Sequence, residues 1–291
     1  MKALFVTTHT DDCLNHIRAW NLLGEPAEHY RFNYKGIRND WKIIETAEKI
    51  QPEVIFYIGC NEAPGLPKPE SFRALRKIAP VINLVSDAAD KPWHSVLLRY
   101  KENKCFDLQV SIDGANHAPV DYATLTPVDF SSFVTVSKDI LCGFSGSVAK
   151  QSNRGALIAE MVDYGIVTRH EKSDYRKYSI FLSRCRMIIN TSFTGTGKAH
   201  HIKGRVLEAG WAGCALLEHA DSPIGEWFPQ DCYFSWRTTE EAENIIIDMD
   251  PSEVKRRAQR LSEEVRSKYT PKLIYQGMLD RVDFTVSRQT G

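Results

Sequence analysis

The stretch MIINTSFTGTGKAHHIKGRVLEAGWAGCALLE, residues 187–218, reads in one pass as a strand, a glycine-rich loop, a helix and a second strand. Two strands joined through a helix imply a parallel pair, because parallel neighbours need a long crossover and a helix supplies it. In the loop, Gly195, Gly197 and Gly204 are interleaved with Thr194, Thr196, Lys198, Lys203 and Arg205. Glycine lets the backbone approach a ligand and a helix N-terminus adds partial positive charge, so the segment suits phosphate oxygens. Arg205 fits a phosphate bidentately and Lys203 as a point charge. Glu208 lies three residues beyond Arg205 and shares its helix face. Two readings of it stay open: an ion pair with Arg205, or an acceptor for ribose hydroxyls like the acidic residue of dinucleotide folds. Gly195–Lys198 is not a phosphate-binding P-loop, since the upstream glycine is missing and Ala199 stands where Ser or Thr would hold magnesium.

The same alternation extends outward. In the first half, ALFVT, YRFNY, VIFYIG, VINLVS and LQVSI read as strands, with helical stretches running to Leu23 and over 41–50, 69–78 and 93–101. After Ile112 the pattern breaks in a segment carrying Pro119 and Pro127, then restarts at DILCGFSGS. A second series follows: helices at 153–164 and 173–183, strands IVTRH, MIINTS, CALLEH and YFSW, and the helix beginning near Lys203. This order predicts two Rossmann-like α/β domains, 1–133 and 134–291, each with a parallel sheet covered by helices. From Thr238 the chain is helical and heavily charged, with apolar residues at helical intervals, which reads as solvated amphipathic helix packing on one stripe.

Composition narrows the class. The chain has 291 residues, 43% hydrophobic and 25% charged, which is ordinary for a folded globular protein and long enough for two cores. Lys+Arg and Asp+Glu balance at 37 each, so there is no global basic field for nucleic acid. The start MKALFVTTHTDD soon turns polar and no run reaches the ~18 apolar residues of a membrane span, from which we expect a cytoplasmic protein with no transmembrane segment. Seven cysteines without a C-x-x-C pair read as buried thiols rather than disulfides or zinc ligands.

Ligands of open α/β sheets bind outside the carboxyl ends of the strands. That rule selects THTDD after the first strand, GCNEAPG after the third, SDAAD after the fourth, GFSGS at the restart, and the loop before Lys203. His9, Asp11, Asp12 and Asp87 are candidate bases among them, and helix N-capping is the alternative reading of the aspartates. His200 and His201 are adjacent, so their side chains diverge, and no third ligand stands at metal spacing; no metal is expected.

KGRVLEAGWAGCALLEHADSPIGEWFPQDCYFSW, residues 203–236, resembles the donor-binding segment of group 1 glycosyltransferases of the GT-B fold, and within them the CgeB-like, spore-maturation-type subset. Lys203, Arg205, Glu208, Ala209, Gly213, Leu216, Leu217, Glu218, Phe228, Pro229 and Tyr233 carry the likeness. GFSGSVAKQSNRGALIAEMVDYG, residues 143–165, resembles the first strand, Gly/Ser turn and helix of the family's C-terminal domain, with Gly143, Ser145, Gly146, Ser147 and Arg154 in corresponding places. One departure stands out: where an E-x7-E pair has its first glutamate, this chain has His200.

The resemblance implies a GT-B fold, two Rossmann-like domains facing across a cleft, with a C-terminal helix packing back toward the N-domain. It implies a metal-independent, cofactor-free hexosyltransferase using a nucleotide-diphosphate sugar, UDP-linked by family frequency. The acceptor stays open among glycan, lipid, protein, small molecule and modified nucleobase. Donor-binding residues carried over are Lys203, Arg205, Glu208, Gly143, Ser145, Gly146, Ser147, His200, Gly204 and Glu218; catalytic candidates are Asp87, Asp11 and His9. A catalytically silent GT-B-like binder, or an epimerase or phosphorylase of the same fold, is the alternative.

Overall fold

The computed structural model describes residues 1–7, 11–32, 36, 38–59, 65–149, 152–171 and 173–284, with the backbone alone at 11–14. The chain divides into two compact units, Met1–Asp129 together with Pro271–Gly291, and Phe130–Thr270.

The first unit runs β1 (Ala3–Thr7), α1 (Asp11–Asn21), β2 (Ala27–Arg31), α2 (Asp40–Ile50), β3 (Val54–Ile58), α3 (Pro69–Leu75), β4 (Val81–Val85), α4 (Lys91–Glu102), β5 (Leu108–Ser111) and β6 (Tyr122–Ala123). All six strands are parallel, in the order β2-β1-β3-β4-β5-β6. Every residue of β1, β3 and β4 is buried, as their unbroken apolar sequences require of strands covered on both faces. β2 has the alternating polar composition of an edge and ends at Arg31, three residues earlier than the YRFNY reading. On one face Leu4, Val6, Ile55 and Tyr57 pack with Ile43 and Ala47 of α2 and Phe72 and Leu75 of α3. On the other, Phe5 stacks on Phe56 with centroids 4.9 Å apart, and Trp20 meets Phe56 edge-on at 5.2 Å.

The second unit runs β7 (Ile140–Ser145), α5 (Asn153–Asp163), β8 (Thr168–His170), α6 (Tyr175–Arg184), β9 (Cys185–Asn190), α7 (Arg205–Ala212), β10 (Ala215–His219), β11 (Tyr233–Trp236), α8 (Thr239–Asp248) and α9 (Pro251–Lys268). Its parallel sheet has the order β11-β10-β9-β7-β8. Counted within the unit this is 2-1-3-4-5 reversed, the second common doubly wound order. Helix starts are set by local chemistry: Ser152 and Asp174 accept amide protons at the heads of α5 and α6, and Thr238 with Glu241 forms a capping box at α8. The small residues of GWAG have two distinct causes. A Cβ on Gly210 would lie 2.6 Å from Val265 Cγ2, so glycine lets α7 approach α9, and Gly213 ends α7 in the left-handed region at φ 66°.

The charged tail comprises α8, α9 and a final helix, α10 (Pro271–Leu279), which belongs to the first unit. There Tyr275 is buried edge-on against Trp20 at 5.0 Å and donates its hydroxyl to the His16 carbonyl at 2.9 Å. The cysteines among the described residues, 105, 142, 185, 214 and 232, are free and buried, and burial pushes each thiol pKa up. No helix among the described residues is long and apolar enough to cross a membrane.

Candidate functional site

In the second unit the strand order reverses direction between β7 and β9, so the crevice at a topological switch point is framed by the loops that leave these two strands. Those loops hold the glycine- and serine-rich GFSGS turn and the 191–204 loop. They are tied together: Asn153 Nδ2, at the head of α5, donates to the Gly197 carbonyl at 2.9 Å.

The 191–204 loop is a tight hairpin. Thr194 N–H donates to the Ala199 carbonyl at 2.9 Å, Gly197 N–H to Thr194 at 3.0 Å and His201 N–H to Ser192 at 3.0 Å, while Phe193 and His200 form a bridge. Gly197 takes φ 70° at the tip and Ser192 takes φ 51° at the base. Three of the amides that the glycine pattern offered to phosphate are thus spent inside the loop. Basic side chains lie in the chain that follows, where half-buried Lys203, Gly204 and Arg205 enter α7 and Gly204 occupies the N-cap position without a side chain.

Arg205 and Glu208 meet through a residue the sequence reading missed. Tyr178 of α6 donates its hydroxyl to Glu208 Oε2 at 2.6 Å and accepts from Arg205 Nε at 3.2 Å. Burial holds the phenol well above its usual range, so it stays protonated and donates. Burial opposes the charge on Arg205, but Tyr178 and the Glu208 carboxylate outweigh it and raise the guanidinium further. Tyr178 sits on an apolar stripe with Phe181 and Leu182, which is why its pattern reads only as core-facing helix.

Glu218, the penultimate residue of β10, is fully buried and in register with Asn190 of β9. It accepts from Asn190 Nδ2 at 2.9 Å and from the Ser192 hydroxyl. Burial raises its pKa to about 7 against the pull of those hydrogen bonds. Its contacts therefore anchor the base of the loop. Gly143 is likewise buried in β7, where a Cβ would lie 2.5 Å from Cys185 Sγ and 3.0 Å from the Phe181 ring, so it makes room for α6. Ser145 and Gly146, at φ 150°, are half-buried at the strand end and Ser147 is exposed. Arg169 Nε donates to the Gly146 carbonyl at 3.3 Å. The His200 ring lies between Phe193 at 4.5 Å and His219 at 5.0 Å.

In the first unit the switch point falls at β1 and β3, and the loops after both contain residues outside those described. His9 is outside them and so is the side chain of Asp11, whose backbone opens α1. Asp87 follows β4 with φ 54°, a left-handed conformation that Asp tolerates better than most residues. Capping does not explain it, because the N-cap of α4 is Asp90, whose amide donates to the Asp87 carbonyl at 3.0 Å. The turn is held by buried Asp113, which accepts from Ala88 N–H at 2.9 Å and from the Ser111 hydroxyl at 2.5 Å.

Two parallel-sheet Rossmann-like units of six and five strands give this chain the GT-B glycosyltransferase fold. HepE from Anabaena, solved in complex with UDP and glucose, superposes with a TM-score of 0.65 at 12% identity over 96% of this chain and 98% of that one. Sucrose-phosphate synthase from Thermosynechococcus elongatus gives 0.61 at 10% identity over 97% and 98%. AviGT4, a glycosyltransferase involved in avilamycin A biosynthesis, gives 0.58 at 12% over 97% and 96%. No protein-family model and no curated protein matches the chain.

Proposed function

We propose that this chain is a CgeB-like GT-B glycosyltransferase that moves a hexose from a nucleoside-diphosphate sugar to an acceptor hydroxyl, with no metal on the diphosphate. The observation that carries the reading is the linked set Arg205, Tyr178 and Glu208 at the head of α7, on the loop that leaves the switch point. In this reading Lys203, Arg205 and the α7 N-terminus neutralise the diphosphate, a task that a divalent ion performs elsewhere. Glu208, oriented by Tyr178, accepts from the ribose hydroxyls. Ser145, Gly146, Ser147 and His200 border the same loops and contact the donor sugar or its phosphates. HepE's complex with UDP and glucose supports UDP as the nucleotide to try first.

Transfer breaks the bond between the anomeric carbon and the phosphate oxygen and forms one to the acceptor oxygen. The bonding pair leaves with the diphosphate, where Lys203 and Arg205 stabilise the developing charge. The acceptor proton passes to Asp87 in an inverting displacement, or to the departing phosphate oxygen in a retaining one. The strained backbone at Asp87 supports its candidacy, since such conformations persist where the surroundings over-determine them.

Calorimetry on EDTA-treated protein with UDP, GDP, TDP and their glucose derivatives tests this. The expected result is micromolar binding of one nucleotide, weakened at least about tenfold in Lys203→Ala and Glu208→Ala, each ~1.4 kcal/mol or more. A folded protein that binds none of them overturns the reading.

A further inference from the structure

His200 and His201 offer no metal site as a sequence, but the fold brings other ligands to His200. His219, at the end of β10, and Asp221, just beyond it, place one ligand atom each with His200 such that all three lie within 4.8 Å of one another. Around a tetrahedral ion with Zn–N bonds of about 2.0–2.1 Å, two imidazole centroids fall about 5 Å apart. The His200 and His219 centroids are 5.0 Å apart with the rings stacked, so a turn of the His200 ring about its Cβ–Cγ bond brings both in-plane lone pairs toward one ion.

The hydrogen bonding leaves these atoms available. His200 Nε2 is buried and has no hydrogen-bond partner among the described residues. A buried lone pair or N–H without a partner is costly and calls for an explanation. His219 Nδ1 receives only a long 3.3 Å bond from Asp221 N–H and lies 3.9 Å from Asp221 Oδ2. Arg237 Nη2 holds Asp221 through its other oxygen, Oδ1, at 3.0 Å. Asp221 is half-exposed and opens a path for entry.

We propose that His200, His219 and Asp221 form a binding site for a borderline-soft divalent transition metal of the Zn²⁺ class, clamping the 191–204 hairpin to the chain after β10. Two imidazoles and one carboxylate suit Zn²⁺, Co²⁺ or Ni²⁺, whereas Mg²⁺ and Ca²⁺ take oxygen sets. The fourth position is left for water or a ligand atom. The site shares only His200 with the proposed donor contacts, and metal binding is read without nucleotide, so it stands or falls separately from the transferase reading.

The test is a titration of EDTA-stripped, dialysed protein with CoCl₂ in a phosphate-free buffer, followed by ZnCl₂ competition. One equivalent of Co²⁺ should produce a visible d–d band that Zn²⁺ removes, without the intense near-ultraviolet charge-transfer band of a thiolate site. Paramagnetic Co²⁺ should quench Trp236, which packs edge-on against His219 at 5.2 Å. His200→Gln and Asp221→Asn, at less buried positions than His219, should each weaken Co²⁺ at least about tenfold, while His170→Gln leaves it unchanged. Absence of a one-equivalent site, a thiolate spectrum, or binding that survives in both His200→Gln and Asp221→Asn overturns the proposal.

Discussion

Tyr178 donates its hydroxyl to Glu208 Oε2 at 2.6 Å although the two stand 30 residues apart on different helices. The bond fixes the carboxylate's rotamer and, through Arg205 Nε at 3.2 Å, places the guanidinium beside it. Tyr178 thus positions both of the groups proposed to hold the donor.

Removing only its hydroxyl should leave the helix packing intact and free Glu208 to rotate. Tyr178→Phe is expected to keep its melting temperature within a few degrees and to lose about 1–1.5 kcal/mol of nucleotide affinity, roughly tenfold. Calorimetry beside Glu208→Gln checks this, and a double variant no weaker than Glu208→Gln would place both effects on one path.

Glu218 ties pH to stability. Its native pKa of about 7 exceeds the ordinary 4.5, so the native state holds this proton more tightly than the unfolded chain does. Its contribution is complete below about pH 4.5 and is lost as pH rises to about 7. Glu218→Gln cannot titrate. Relative to the parent, its unfolding free energy should improve by on the order of 3 kcal/mol between pH 4.5 and pH 8. Urea melts at both pH values decide it, and a difference independent of pH would show that the carboxyl titrates normally.

Gly210 should not accept a methyl group, despite the ~1 kcal/mol that alanine gains over glycine within a helix. A Cβ 2.6 Å from Val265 Cγ2 and 2.9 Å from Val265 Cβ forces α7 away from α9. Gly210→Ala is expected to destabilise by about 1–3 kcal/mol. Adding Val265→Ala should recover part of that loss, a sign of local overpacking that denaturant melts of the two singles and the double will read.

Asp87 can be tested without disturbing its backbone, because Asn also accepts the left-handed conformation at φ 54°. If it takes the acceptor proton, Asp87→Asn keeps nucleotide affinity and loses about 10²-fold or more in turnover. Unchanged turnover in the variant would assign the proton to the donor phosphate.

Much of this protein was determined by the sequence alone. Strands buried on both faces need unbroken apolar runs such as VIFYI and VINLV, and helices between them need an amphipathic stripe, so the two α/β series and the loops at their strand ends were legible from apolar runs of strand length alternating with a period of 3.6 residues. Lys203, Arg205 and Glu208 could be proposed together from sequence because they share one short segment. Other features depend on register and crossover, which no local period encodes. Pairing Glu218 with Asn190 across two strands turned a strand-end carboxylate into a buried anchor, and folding the glycine loop on itself consumed amides that its composition offers to phosphate. The docking of α6 beside α7 brought Tyr178 to Glu208, and the path after β10 brought His219 and Asp221 to His200. The last helix went to the first unit because Tyr275 finds Trp20 and Phe56 there, contacts between residues more than 200 positions apart that only tertiary packing could select.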